Sequence, residues 1–599
     1  MWRIDRMPGL CFGTRIAGSR RAATYRQPAL KQLWSEMALA LRSGSFSGAL
    51  GGAWRRFARR LTNGGNGRSA KGASPERLLL APPDLNTPDP TIAQEIHAGV
   101  FHFAGRSLNA GGSNPFSFSP PSAEWAGEMH GFSWLCHLGA ARGVVSASNA
   151  QALVKDWIGT HPKPRNDEAW EPETAARRLI AWLCHSKMVV EDADFATYRL
   201  FLNSIGSHIW HLQSAWAVAP DGMARLVCLI ALAYADVCVD SVRSGTRSAQ
   251  KNLDTELARQ IYADGGHVSR NPAVLCKLLV LLLPLRQAIT GRGLEPSTEL
   301  VSAIDRMMLA LRFFRLGDGS IAHFNGVSDT PSGLVATLLR YGDAMGSLPK
   351  SLPNCGYQRL ESAGTVVLMD TAKPPPDRFS IAAHAGTLSF EMSSGGAPIL
   401  VNCGIPPQAK PDAVFAGRAT AAHNTATLND TSSSRLVAVR STMSGREHMI
   451  AGGPSKVPVQ RDFGDNAERL LASHDGYVRA FGLVHQRELR LASDGALLLG
   501  ADRFIDPGGA AVTSASNCGF AIRFHLHPSV KVHGGGNSSV LMLESPGASR
   551  WKFTCLDVKP QLEESIFFAT PLGARRSCQI VLHGNVSAIA EIRWKLARR

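Results

Sequence analysis

The spacing of apolar residues changes near the middle of this chain. Between Thr91 and Leu348 they recur every three to four residues in successive segments, among them AQALVKDWIG, ETAARRLIAWLCHSKMV and RLVCLIALAYADVCV. This period predicts helices. The segments are separated by short connections rich in Gly, Pro and Asp, such as APDG, ADGGH and LGDGS. Such connections suit helix hairpins stacked one after another, so we predict an all-helical array or toroid over about residues 90–350.

From Gly356 onward the apolar residues alternate with polar ones in short runs, such as GTVVLMD, TLSFEMS, PILVNCG and IRFHLHP. Alternation with a period of two predicts β-strands. Turn-forming residues recur roughly every eight to twelve residues, which is typical of an antiparallel sandwich. The second half, over residues 356–599, is therefore predicted to be a β-sandwich.

Positive charge is concentrated at the start of the chain. The formal net charge is +16, and the first 72 residues hold 14 Lys and Arg against 2 acids. Residues 1–75 are therefore predicted to form a basic, flexible extension. It either stays solvated or contacts anionic lipid or nucleic acid. The remaining 527 residues are close to neutral, and we predict no specific nucleic-acid partner.

Three further sequence features bear on membrane insertion, secretion and cysteine-based frameworks. The longest apolar run, VLCKLLVLLLPL at 274–285, contains Lys277 and is shorter than the ~20 residues of a membrane span, so we predict a buried helix and no transmembrane segment. The stretch MPGLCFG after Arg6 is too short and too broken for the apolar part of a secretion signal. The 11 cysteines form no C-x-x-C pair and predict neither a disulfide framework nor a zinc ribbon.

Histidines in the predicted sandwich lie at strand ends or beside turns. They are His384, His423, His474, His485, His525 and His527. In the HLH stretch the two imidazoles share one face of a strand, a spacing that chelates metal but also occurs on ordinary strands. The run AVFAGRATAAHNTATLND places His423 among small residues and threonines, and its role is not explained by the strand pattern alone.

The order of these motifs resembles the heparinase II/III-like family of polysaccharide lyases. After the helical half come HAGTLSFEMSSGGAPILVNCG and then RATAAHNTATLND. Family members have the approximate patterns H-x-H-A-D-x-L-S-F-E, I-V-D-x-G and R-x-T-x-A-H-N-T. The resemblance covers the chain from about residue 95. It implies an (α/α) toroid followed by a β-sandwich, an anionic polysaccharide as partner, and a zinc site at the positions of His384, Asn402 and His423.

The resemblance also shows departures from the family pattern. Family lyases remove a uronate ring proton and expel the glycosidic oxygen, which takes a base, an acid and a group that neutralises the carboxylate. At the family's catalytic histidine, asparagine and tyrosine this chain has Ala382, Met223 and Val274. At two acidic positions near the zinc it has Asn402 and Gly386. We therefore predict that no cofactor is required and that any zinc is substoichiometric.

Polar residues in the predicted helix connections supply an alternative site. They are Arg225, His267, Arg270, Asn271, His323 and Asn325. We predict that they line a cleft facing the sandwich. In this hypothesis His267 and Arg270 carry the chemistry with help from His384, because imidazole titrates near neutrality and guanidinium binds carboxylates. The others and His423 then bind substrate. The competing interpretation is that these residues cap helices and hold loops.

Three functions follow from this reasoning. The leading one is β-elimination on a uronate-containing polysaccharide. The second is a catalytically silent polysaccharide-binding protein in capsule or envelope assembly. The third, a glycoside hydrolase on the same scaffold, needs a pair of carboxylates, and the sequence identifies none. The resemblance implies a bacterial envelope or periplasmic location, with the cytoplasm as the alternative.

Overall fold

The computed structural model describes most of the chain after the basic extension, and the described residues lie in one compact unit, Ala70–Arg599. The predicted extension over residues 1–75 falls almost wholly outside the described residues. The description covers 74–141, 143–240, 246–342, 346–406, 411–440, 446–464, 466–510, 518–534, 539–547, 550–571, 573–589 and 591–599.

Helices fill the first part of this unit. In chain order the α-helices are α1 (Pro90–His97), α2 (Ala123–Gly131), α3 (Leu135–Ala141), α4 (Val144–Thr160), α5 (Pro172–Cys184), α6 (Ser186–Val190), α7 (Phe195–Ala215), α8 (Met223–Cys238), α9 (Thr246–Gln260), α10 (Pro272–Gly291), α11 (Thr298–Phe313), α12 (Ser332–Arg340), α13 (Pro411–Arg418) and α14 (Val478–Phe481). The last two are short and lie among strands.

The long helices are arranged in two layers. Helix α8 packs against α5 on one side and α10 on the other, and we call these three the inner helices. Helices α7, α9 and α11 cover them from outside. The inner helices are apolar on nearly every face because both layers contact them. Helix α10, which contains the long apolar run, is the one described helix long and apolar enough to cross a membrane, and most of it is buried in this core.

Antiparallel strands fill the second part. In chain order the strands are β1 (Arg77–Leu78), β2 (Val100–Phe103), β3 (Arg106–Asn109), β4 (Val239–Asp240), β5 (Ser351–Leu352), β6 (Tyr357–Ser362), β7 (Thr365–Asp370), β8 (Phe390–Ser394), β9 (Ala397–Leu400), β10 (Ala426–Leu428), β11 (Leu436–Arg440), β12 (Arg446–Ile450), β13 (Val459–Phe463), β14 (Ala467–His474), β15 (Val484–Ala492), β16 (Leu497–Ile505), β17 (Gly519–His525), β18 (Lys531–His533), β19 (Val540–Glu544), β20 (Arg550–Cys555), β21 (Gln561–Phe567), β22 (Arg575–Asn585) and β23 (Glu591–Arg598).

These strands form three larger sheets. One has eight strands in the order β13-β14-β15-β16-β23-β20-β19-β18, one has four in the order β10-β17-β22-β21, and one has five in the order β5-β6-β7-β8-β9. Their shared core contains Phe390, Phe524 and Trp594, with ring centroids of Phe524 and Trp594 4.8 Å apart. The predicted order of a helical toroid followed by an antiparallel β-sandwich is confirmed.

The five-stranded sheet is a layer that the two halves share. Along β7, Val366 and Leu368 belong to the core of the helices, whereas Val367 and Met369 belong to the core of the other sheets. Successive side chains of a strand point to opposite faces. A strand buried on both faces is therefore apolar without alternation, which explains the run TVVLM.

Candidate functional site

His384 and His423 lie side by side at the edge of the sandwich. Their Nδ1 and Nε2 atoms are 2.8 Å apart, and the backbone N–H of His384 donates to the Asn325 side-chain oxygen at 3.0 Å. The R-x-T part of the third motif holds this arrangement: Arg418 Nε donates to the Ala383 carbonyl at 2.8 Å, and the Thr420 hydroxyl donates to the Ala385 carbonyl at 2.6 Å. Both imidazoles are buried.

The hydrogen bonds fix which ring nitrogen of each histidine carries the proton. His423 Nδ1 lies 2.7 Å from the Ala419 carbonyl, which only accepts, so this nitrogen is protonated and Nε2 accepts. His384 Nδ1 must then be the donor to His423, and His384 Nε2 holds a lone pair. No hydrogen-bond partner of that buried atom exists among the described residues. Burial lowers the pKa of His423 to about 4 and holds the pKa of His384 well below its usual range.

The residues at this position do not fit a zinc ion. His384 Nδ1 and His423 Nε2 are used in the hydrogen bond between the two rings, which leaves His384 Nε2 as the one free ring nitrogen of the pair. The Asn402 side-chain oxygen accepts the backbone N–H of Asn424 at 3.0 Å. A Cβ at Gly386 would lie 2.9 Å from Cδ2 of His423, so a carboxylate there would displace the ring. Across the described residues, no three His, Cys, Asp or Glu side chains are grouped to hold a metal ion.

We expect dialysed protein to contain well below one zinc per chain. A chelator should shift the Tm by less than about 2 °C, because no folding free energy is linked to the metal. Elemental analysis and thermal unfolding with and without chelator measure both quantities. One zinc per chain would contradict the expectation.

A buried carboxylate, Glu391 of the LSFE motif, joins the helical part to the sandwich. It accepts the backbone N–H of His323 at 3.0 Å and that of Asn402 at 2.7 Å, and lies 3.2 Å from His323 Nδ1. Burial opposes the charged imidazole, but the carboxylate outweighs it and raises the pKa of His323. Asn424 extends the network, because its side-chain oxygen accepts the His525 N–H. The motif residues therefore hold the two halves together.

Arg270 makes a second connection between the halves. Its guanidinium lies 2.5 Å from Asp370 and donates to the carbonyls of Cys355 at 2.7 Å and Lys373 at 3.0 Å. Burial opposes the charge, but the Asp370 carboxylate outweighs it and raises the pKa of Arg270. The Asn325 amide donates to Asp370 at 3.3 Å. Arg270 and Asn325 are thus engaged within the protein.

His267 is also engaged on both ring nitrogens. Nδ1 accepts the backbone N–H of Ser269 at 3.1 Å, so Nε2 carries the proton and donates to the Gln260 side chain at 3.0 Å. Burial, with the charge of Arg259 nearby, lowers the pKa of His267 to about 3. These contacts match the loop-holding interpretation more closely than a general base.

The remaining predicted residues have local partners. Arg225 lies 2.5 Å from Asp221 and 3.4 Å from Glu256, and donates to the Ala219 carbonyl. Asn271 caps α10, since its side-chain oxygen accepts the Ala273 N–H at 2.9 Å. The capping alternative therefore describes Asn271.

The structure places the site residues predicted from the sequence in separate hydrogen-bond networks. Arg225 and His267 share a network through Glu256 and Gln260. A second network contains Arg270, Asn325, His384 and His423, and His323 belongs to the network of Glu391. Two cavities, of about 710 and 120 Å³, are lined by none of these side chains. The catalytic and binding roles stay predictions.

Two buried acids at the centre of these networks were not predicted from the sequence. Asp370 ends the apolar strand β7, and Glu391 lies inside the LSFE motif. An acid within a strand that is otherwise buried on both faces signals a paired charge, because an unpaired buried carboxylate is costly. That signal was present in both stretches.

Comparisons with known proteins agree with this architecture. The family model described as Heparinase II/III-like, C-terminal matches residues 344–595. The FtsZ-localized protein C of Caulobacter vibrioides is 31% identical over 539 residues, which cover 88% of this chain and 91% of that protein. Among solved structures, heparinase III has a TM-score of 0.64 at 12% identity, covering 96% of this chain and 92% of its own. The heparan sulfate lyase HepC of Pedobacter heparinus has a TM-score of 0.56 at 16% identity, covering 96% and 91%.

The fold is the toroid-and-sandwich architecture of these solved structures. Within it, the chain belongs to the heparinase II/III-like family, and it is a divergent member.

Proposed function

We propose that this protein is a catalytically silent member of its family. In this proposal it acts by binding at the cell-division site, together with FtsZ. The observation that carries the proposal is at Ala382. This residue is exposed at the position where the resemblance implies the catalytic histidine, and a methyl group transfers no proton. The two groups nominated to replace that histidine, His267 and Arg270, are buried and hydrogen-bonded within the protein.

The location in the proposal comes from the Caulobacter relative. That protein is named for its localisation with FtsZ, and its identity of 31% extends over 88% of this chain. A shared location is the simplest inference from a match of that length. The likeness to heparan sulfate lyases, at 16% identity or less, concerns the fold.

A uronate lyase is the second candidate, and one observation favours it. His384 Nε2 is unprotonated, as a general base must be before it takes a proton. This nitrogen is buried, so the lyase would need the loop around Ala383 to open before the polysaccharide could reach it.

An absorbance assay separates the two candidates. The full chain is incubated with heparan sulfate, alginate and hyaluronan, and the unsaturated uronate is followed in the ultraviolet, because only a lyase creates that double bond. We expect no product. Product formation that is lost in His384→Gln and retained in His533→Gln, whose histidine is exposed, would establish the lyase instead.

Localisation tests the positive part of the proposal. A fluorescent fusion is expected to coincide with FtsZ in dividing cells, and the purified chain is expected to pellet with FtsZ polymers. Pelleting without FtsZ serves as the control. A fusion excluded from the division site, together with protein left in the supernatant, would overturn the proposal. The same fusion tests the location, which the sequence left open between the envelope and the cytoplasm.

A further inference from the structure

The inner helices line a small cavity that is separate from the networks described above. Its volume is about 120 Å³. Its polar lining includes Ser133, Arg177 of α5, Tyr234 of α8, Lys277 of α10, and Asp84 from the segment before α1. We call it the lumen cavity. None of the residues proposed from the sequence as site residues lines it.

Lys277 is the charge that interrupts the apolar run VLCKLLVLLLPL. It keeps exposed surface in a helix that is otherwise mostly buried, and that surface borders the lumen cavity. Among the described residues, no acceptor lies within hydrogen-bond or ion-pair distance of its ammonium group. The surrounding protein and the nearby charge of Arg177 lower the pKa of Lys277, against the smaller opposing effects of the Glu173 and Glu128 carboxylates. Because the side chain is exposed, its ammonium group is accessible to a ligand, and a bound anionic acceptor would give it a charge-assisted hydrogen bond.

Two more donors of the lining are free to bind a ligand. Arg177 uses Nε, at 3.1 Å, and Nη2, at 2.5 Å, to bind Glu173. Its Nη1 has no acceptor within the described part of the chain. The Ser133 hydroxyl likewise donates to no described residue. Tyr234, by contrast, already donates its hydroxyl hydrogen to the Leu281 carbonyl at 2.7 Å.

The acid in the lining is already occupied. Asp84 lies 2.9 Å from His185 Nε2 and accepts two hydrogen bonds from Asn86, at 2.9 and 2.8 Å. Burial opposes its charge, but His185 and Asn86 outweigh it and lower the pKa of Asp84. Glu173 is held by Arg177. The lining therefore keeps free donors on Lys277, Arg177 and Ser133 beside the side-chain oxygen of Asn86, whereas the acid Asp84 is already paired.

We propose that the lumen cavity binds a small oxyanion, such as phosphate, sulfate or a carboxylate, through Lys277, Arg177 and Ser133. Oxyanions accept charge-assisted hydrogen bonds from ammonium and guanidinium groups. The volume of about 120 Å³ accommodates one such group. This site is independent of the proposed function at the division site.

Thermal unfolding and calorimetry of the full chain test the proposal. The probes are inorganic phosphate, sulfate and acetate, each compared with chloride at equal ionic strength. The Tm is expected to rise with at least one probe. The Tm shifts with phosphate and sulfate, compared with the shift with acetate, show whether the cavity prefers a tetrahedral or a planar anion. Lys277→Met is expected to weaken binding by at least about tenfold, since it removes a charged donor.

The matched control is Lys187→Met, which makes the same change at an exposed lysine of α6. It is expected to bind the probes like the parent. Ser133→Ala gives an independent reading if Lys277→Met does not fold, and it is expected to weaken binding without lowering the Tm of the anion-free protein. The proposal is overturned if no probe raises the Tm beyond chloride, or if neither Lys277→Met nor Ser133→Ala changes the affinity.

Discussion

Acidification from about pH 7 to about pH 5.5 is expected to lower the free energy of unfolding by several kcal/mol. Burial lowers the pKa of His130, His267 and His525 to about 3 and that of His423 to about 4. In the unfolded chain each would titrate near about 6.5. Below that value the unfolded state binds protons at these histidines, whereas the folded state keeps them neutral. The free energy of unfolding therefore decreases as the pH falls.

The size of this effect follows from the number of such groups. Each histidine contributes at most about 1.4 kcal/mol per pH unit below about 6.5. The four together reach a ceiling of ~5 kcal/mol at about pH 5.5. His323 and Asp236 act in the opposite sense, because the Glu391 carboxylate raises the pKa of His323 and burial raises the pKa of Asp236 to about 7. Their contributions are present at low pH and are lost as the pH rises through the folded pKa.

Urea unfolding across this pH range measures the effect. His267→Gln should make the pH dependence shallower by up to one proton, because it removes one imidazole that is protonated in the unfolded state only. His533→Gln, at an exposed position, should leave the slope unchanged. A free energy of unfolding that stays constant between these pH values would show that the buried histidines are not held neutral.

The second large effect is expected at Arg270. Arg270→Ala should lower the free energy of unfolding by about 3–5 kcal/mol, because it leaves the Asp370 carboxylate buried without its partner. The carbonyls of Cys355 and Lys373 also lose a donor. Denaturant unfolding followed by tryptophan fluorescence measures the change.

The control is Arg378→Ala, which removes a guanidinium that is 63% exposed and lies 3.4 Å from Asp221. Exposed pairs contribute about 0–1 kcal/mol, so this variant should unfold close to the parent. The catalytic hypothesis for Arg270 predicts the reverse pattern, with stability retained and a polysaccharide-cleaving activity lost. Unchanged stability in Arg270→Ala would therefore contradict the structural role.

The fold was predictable because its signals are local. A period of three to four residues predicted helices to about residue 350, and the last helix of that part ends at Arg340. Alternation predicted strands from Gly356, and β5 begins at Ser351. The cap of α10 was also accessible, since Asn271 and Pro272 together mark a helix start.

The site was harder to predict because the decisive partners are distant in sequence. Arg270 meets Asp370 across 100 residues, and His323 meets Glu391 across 68. Sequence spacing showed that polar residues follow glycines in the connections. It did not show whether those residues bind a buried carboxylate of the protein or an external ligand. The family pattern placed His384 and His423 at one zinc site, whereas the structure has them hydrogen-bonded to each other, a contact that depends on Gly386 being small.

The shared five-stranded sheet has a consequence for how this chain can vary over evolutionary time. A break near residue 350 would expose one apolar face of β5–β9 on the sandwich fragment and uncover the core of the helical fragment. Apolar faces of that kind drive aggregation when they lose their cover. Replacement of either half by a domain from another gene would leave the same apolar surfaces without their matching partner. The two halves are therefore expected to be inherited, folded and degraded as a single piece.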